Sequence, residues 1–147
     1  MKKPHLIATI CLLTTVALTT QAQEKKEYVD LSEKLFTIEN CVISFDMDNT
    51  IKTKAGYQFW FVDKEFIDGR TLKMSVVAPG TATHPPHTHD VDEFFFVLEG
   101  TARFHLDGKT TTGGAYTSFY CPSNVAHGIS NAGDAELKYL VIKKYKN

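Results

Sequence analysis

Short runs of β-branched and aromatic residues, each cut off by a turn residue, recur from residue 41 to the end of the chain. The runs are Cys41–Phe45, Tyr57–Val62, Thr71–Val77, Glu93–Leu98, Thr101–Leu106, Tyr116–Tyr120, Ala126–Ser130 and Leu137–Lys144. Such runs read as strands. Asp68-Gly69 and Asp107-Gly108 between them are hairpin dipeptides, which supply the positive φ of tight turns. Glu99-Gly100 and Ala132-Gly133-Asp134 mark further boundaries, and Pro79-Gly80 and Pro85-Pro86 stop strands. Only Val29–Ile38 has room for a short helix, or else an edge strand; nothing else sustains a period of 3.6. Many short strands at close spacing predict an all-β sandwich or barrel. Tyr57–Val62 and Phe94–Leu98 are apolar on both faces. One face fills a barrel, and the other needs a second sheet or a second subunit.

The first 22 residues read differently. Lys2 and Lys3 precede an apolar stretch from Leu6 to Thr20, and Thr20-Gln21-Ala22 offers small residues at a cleavage position. This pattern predicts a secretory signal over residues 1–22, too short for a good membrane span. Cys11 lies inside the apolar stretch behind Ile10, which argues against lipidation. Residues 23–40 are expected to form an extension or arm, and residues 41–147 a single barrel domain. Removing residues 1–22 takes two of the 16 basic residues and none of the 17 acids, leaving a net charge of −3. That balance excludes a phosphate-backbone partner, which needs a positive surface. Lys143 and Lys144 are expected to be solvated surface lysines. Cys41 and Cys121 have the option of pairing in an oxidising compartment, although sequence cannot fix their separation. The alternative for Cys121 is a thiol acting as metal ligand or nucleophile.

The chemistry gathers in His87-Thr88-His89-Asp90-Val91-Asp92-Glu93. His87, His89 and Glu93 are separated by even numbers of residues, so extended backbone turns them to one face. Phe95 and Val97 continue that face inward. A buried ionisable group of this kind is costly unless paired or metallated. His127 lies 34 residues beyond Glu93 and must come from a neighbouring strand. Imidazole and carboxylate donors suit one divalent ion among Mn, Fe, Ni and Zn, without choosing between them.

With both halves quoted, the sequence resembles the cupin superfamily. The first motif of that family has Gly, His-x-His, Glu and Gly; here it reads Gly80, His87-Thr88-His89, Glu93 and Gly100. The second has Gly, Pro-x-Gly, His and Asn; here it reads Gly114, Pro122-Ser123-Asn124, His127 and Asn131. The resemblance runs from about Met74 to Ile142. Gly80 stands one residue farther from the histidines than in the family, and Gly114 two residues farther from Pro122. Asn124 replaces a glycine, and Asn is the next most tolerant residue of left-handed backbone. The resemblance implies a double-stranded β-helix, the jelly-roll barrel, with a metal on His87, His89, Glu93 and His127. It also implies a small-molecule substrate or ligand and a homodimer. A hydroxy-carbonyl compound such as a sugar or uronate-type acid is the expected substrate of an isomerase- or lyase-like enzyme. The alternatives are a metal-dependent dioxygenase and a non-catalytic sugar- or effector-binding module. His84 is a candidate acid–base group or a rim histidine. Phe95 and Trp60 are candidate substrate contacts.

Val42–Thr50 imitates a different site. Asp46-Met47-Asp48-Asn49-Thr50 matches the Asp-x-Asp-x-Thr nucleophile loop of haloacid-dehalogenase-type phosphatases. That family needs a doubly wound α/β domain, and this chain lacks the helices. The segment is expected to be a strand ending in an Asp- and Asn-rich turn. No nucleophile elbow, phosphate loop or dinucleotide glycine pattern occurs.

Overall fold

The computed structural model describes residues 36–67 and 69–145. The signal over residues 1–22, the arm before Phe36 and most of Val29–Ile38 lie outside the described residues. A one-turn helix α1 (Ile38–Cys41) is followed by β1 (Ile51–Thr53), β2 (Gly56–Ile67), β3 (Arg70–Val77), β4 (Glu93–Glu99), β5 (Ala102–Leu106), β6 (Lys109–Gly113), β7 (Ser118–Cys121), β8 (His127–Asn131) and β9 (Leu137–Lys144). All ladders are antiparallel. Six strands form one sheet in the order β1-β2-β3-β9-β4-β7, and three form the other in the order β6-β5-β8. This is an all-β barrel, as the strand pattern predicts, and it has the jelly-roll form that the family resemblance implies.

Parity decides what lies between the sheets. Val77, Phe95, Val97, Phe119, Cys121, Leu137, Tyr139 and Val141 point inward from the larger sheet. Ala102, Phe104 and Ile129 meet them from the smaller one. Phe104 stacks on Phe119 at 4.7 Å, and Phe95 meets Tyr139 edge-on at 5.6 Å. Asn131 fastens the two sheets at one end. Its amide donates to the carbonyls of Val77 (2.9 Å) and Ala135 (2.7 Å), and its oxygen accepts from the Gly133 N–H (2.8 Å).

The larger sheet is apolar on its outer face too. Phe59, Met74 and Val76 form a second cluster there, with Tyr57, Phe61, Leu98 and Leu140 against it. Part of its cover comes from the chain itself: Phe45 lies on Phe59 at 5.3 Å and on Tyr57 at 6.5 Å.

Two expectations need correction. Cys41–Phe45 is not a strand. Thr37 and Asn40 form a reciprocal capping box that turns Ile38–Cys41 into α1, and the following residues join no ladder. Asp46 then accepts from the Asp48 N–H (3.0 Å) and the Asn49 amide (2.6 Å), so the phosphatase-like motif is a self-capped 3-10 turn. β1 and β6 have no counterpart among the expected strands. The turns are as read: Asp107 and Gly108 both have positive φ, as do Gly69 and Gly100. Cys41 is exposed, Cys121 is buried, and both are free thiols. Among the described residues no helix is long and apolar enough to cross a membrane.

Candidate metal centre

The four expected ligands come together at one end of the barrel. Glu93 opens β4 and His127 opens β8, so the two sheets each bring one to the seam. The loop before β4 carries His87 and His89. A reciprocal backbone pair ties it down: the His87 N–H donates to the His127 carbonyl (2.9 Å), and the His127 N–H donates to the His87 carbonyl (3.0 Å). The Asn124 N–H donates to the His89 carbonyl (2.7 Å), from a residue at φ +61°. The Asn in the family's glycine position thus adopts the left-handed turn. Close packing assists as well. A Cβ on Gly128 would lie 3.1 Å from Pro86, so the smallest residue lets the loop seat on β8.

Ligand-bearing atoms of His87, His89 and His127 lie within 4.8 Å of one another, as do those of Glu93, Cys121 and His127. The Nδ1–H of His89 donates to the Val91 carbonyl (2.5 Å), and that of His127 donates to the Val125 carbonyl (2.7 Å). A carbonyl only accepts, so each ring carries its proton on Nδ1 and turns a bare Nε2 inward. These two Nε2 atoms are 3.0 Å apart. Glu93 Oε1 lies 3.1 Å from the Nε2 of His127 and 3.4 Å from that of His89. Three acceptors facing one point repel one another unless a cation or a proton lies among them. His87 Nδ1 is buried without a hydrogen-bond partner. Burial, then the neighbouring His84, lowers the pKa of His87, which favours the neutral imidazole that a metal requires. The donor set therefore fits one divalent ion of the borderline class.

The remaining expected residues divide. His84 meets the His87 ring edge-on at 4.4 Å, beside the ligands rather than among them. Burial lowers its pKa as well. Phe95 is 3 % exposed and lies beneath the centre, 6.5 Å from His127. Trp60 lines an open cavity of about 360 Å³ with Asp63, Lys64, Glu65 and Tyr145. His105 contacts Ser130 at 3.4 Å, away from the ligands. Cys121 is paired opposite Glu93 in the β4–β7 ladder, and burial pushes its thiol up to about 12. It stays protonated at neutral pH. Tyr139 is an interior hydroxyl whose pKa burial raises, and it meets Thr83 and Ser75.

Lys143 corrects the expectation of a solvated surface lysine. Its side chain is 12 % exposed, and its ammonium lies 3.6 Å from Glu93 Oε2. Leu137, Tyr139, Val141 and Lys143 share the inner face of β9 by parity, so strand alternation already carried this signal. Lys73 is the second residue that the motifs do not mark. It faces inward from β3, with its ammonium 5.0 Å from the Trp60 ring.

Residues 73–143 match a family model described as "Cupin domain". Solved structures with this fold include a Cupin 2 conserved barrel domain protein from Salinispora arenicola. It is 19 % identical, with 71 % of this chain and 87 % of that one covered, and has a TM-score of 0.59. A predicted oxalate decarboxylase from Thermotoga maritima is 23 % identical over 60 % of this chain and 78 % of its own, with a TM-score of 0.56. The polyketide cyclase RemF from Streptomyces resistomycificus is 23 % identical over 65 % and 67 %, with a TM-score of 0.55. At these identities the likeness is one of fold. No curated protein matches the chain.

Proposed function

This chain belongs to the cupin superfamily, and on that premise we propose that it holds one divalent metal ion on His87, His89, Glu93 and His127 and acts as a small metal-dependent enzyme. The observation that carries the reading is the convergence of two bare Nε2 atoms and a carboxylate oxygen at 3.0–3.4 Å, each ring oriented by a main-chain carbonyl. The substrate class is a hydroxy-carbonyl compound, a sugar or uronate-type acid, converted by an isomerase- or lyase-like reaction. When bound, the ion supplies Lewis-acid polarisation of vicinal substrate oxygens. The chain's own residues supply the rest. His84, neutral because burial lowers its pKa, takes or returns a proton at one edge of the centre. The Tyr139 hydroxyl stays protonated and orients an oxygen from the barrel interior. Phe95 closes the floor to water, and Trp60 offers a stacking face in the cavity wall.

Two further parts of the reading rest on other residues. The pattern over residues 1–22 supports export, and the mass of the protein recovered outside the cytoplasm tests cleavage after Ala22. Exposed Val42, Ile43 and Met47, with Ile51 of the edge strand β1, support a homodimer. A monomeric mass at micromolar concentration counts against it.

The central test is metal content in protein purified without chelating resin, together with turnover of a panel of aldoses and uronates followed by NMR. Wild type retains about one equivalent of metal, and His87→Ala and His127→Ala lose metal and turnover together. Metal-free wild-type protein refutes the reading. Variants that lose metal yet keep affinity for a panel compound replace catalysis with binding.

A further inference from the structure

The inner face of the larger sheet carries two cationic side chains close to the proposed ligands. In the β2–β3 ladder Trp60 stands opposite Lys73, and in the β3–β9 ladder Lys73 stands opposite Val141. One row farther along, Thr71, Lys143, Glu93 and Cys121 are paired in turn. Lys73 and Lys143 are therefore diagonal neighbours on one face, about 7–8 Å apart by strand geometry. Each is held against a ring that lines the same cavity: the Lys73 ammonium is 5.0 Å from Trp60, and the Lys143 ammonium is 5.0 Å from Tyr145.

Charge balance gives this arrangement a meaning. Glu93 offsets one of the two ammonium groups when no ion is bound. A divalent ion on Glu93 raises the sum over Glu93, Lys73, Lys143 and the ion to about +3, and uncompensated charge in a half-buried site is costly. Two acids of the cavity rim, Asp63 and Glu65, make local contacts. Asp63 caps its own turn by accepting from the N–H groups of Glu65 and Phe66 (3.1 and 3.0 Å). Glu65 pairs with Lys64 at 3.7 Å in open solvent, where screening is strong. β2 slips register twice after Trp60, over the stretch whose Asp63, Lys64 and Glu65 line the cavity with Trp60 and Tyr145.

We propose that the site takes an organic acid with two anionic groups, one meeting the metal ion and the other received between Lys73 and Lys143. This rests on the metal-centre reading and narrows its substrate class from neutral sugars to acids. The test is calorimetric titration of the metal-loaded full chain with malonate, acetate and malonamide. Malonate binds at least about tenfold tighter than either of the others, since only it presents two charges for charge-assisted contacts. Lys73→Gln brings malonate down to the level of acetate and leaves acetate within about twofold, and Lys73→Arg restores the difference. Should Lys73→Gln fail to fold, the wild type still decides: malonate affinity must fall more steeply with sodium chloride than acetate affinity does. Metal-loaded protein that binds malonate and acetate alike overturns this proposal and leaves the metal-centre reading standing. A chain that takes up no metal overturns both.

Discussion

Glu93→Gln isolates one charge at the centre while keeping the side chain's shape. Metal-free protein loses the counter-charge of Lys143, whose ammonium is 3.6 Å from Oε2. Leaving that ammonium unpaired costs about 1–3 kcal/mol. For roughly 110 folded residues at about 2.1 cal/mol/K each, the unfolding entropy is about 0.23 kcal/mol/K, so Tm falls by about 4–13 °C. The metal increment changes more tellingly. At an ion concentration of about 100 Kd, binding stabilises wild type by about 2.7 kcal/mol, or about 12 °C. Loss of a ligating carboxylate that weakens binding about 100-fold leaves RT ln 2, about 0.4 kcal/mol or 2 °C, at the same concentration. Calorimetric melts of stripped protein, with and without added ion, read both quantities. An increment in Glu93→Gln equal to that of wild type would falsify the assignment of Glu93 as a ligand. The Oε1 contacts at 3.1 and 3.4 Å would then belong to a shared proton.

Other outcomes follow from the same geometry. Iodoacetamide at pH 8.5 labels Cys41 in the folded protein and spares Cys121, which is buried with its thiol pushed up to about 12; peptide mass mapping distinguishes them. Asn131→Ala removes three hydrogen bonds to main-chain groups and destabilises by about 2–4 kcal/mol, read by urea unfolding. His84 and His87 both have lowered pKa values, so the fold prefers them neutral. Their contribution to stability is full above about pH 6.5 and is lost as pH falls through the depressed values. Denaturant midpoints of stripped protein across that range drop toward acid, and a flat profile contradicts the assignment.

The sequence spoke most clearly where two constraints coincided. Inward parity through Phe95 and Val97 gave the core face, which is observed; even spacing holds for the ligands only from Glu93 onward, because His87 and His89 lie on the loop before β4 and are brought in by its backbone pairing to His127. β6 was silent for a physical reason. Lys109-Thr110-Thr111-Thr112 is an exposed edge strand whose only instruction is the turn before it. Cys41–Phe45 misled because capping by Thr37 and Asn40 draws Cys41 into α1, and residues 42–45 join no ladder despite their β propensity. Lys143 and Lys73 were legible in parity yet obscured by composition, since lysine is ordinarily a surface residue. Their meaning appears only once Glu93, Trp60 and Tyr145 are in place around them.

The rings of His89 and His127 are aimed by the carbonyls of Val91 and Val125, and every amino acid carries a carbonyl. No point substitution at residue 91 or 125 deletes the acceptor. The aiming device is thus immune to side-chain drift and vulnerable only to changes of backbone path. A saturation library at these two positions should keep metal uptake with most replacements and fail at proline. Anyone transplanting the centre into another barrel must copy two peptide planes rather than two valines.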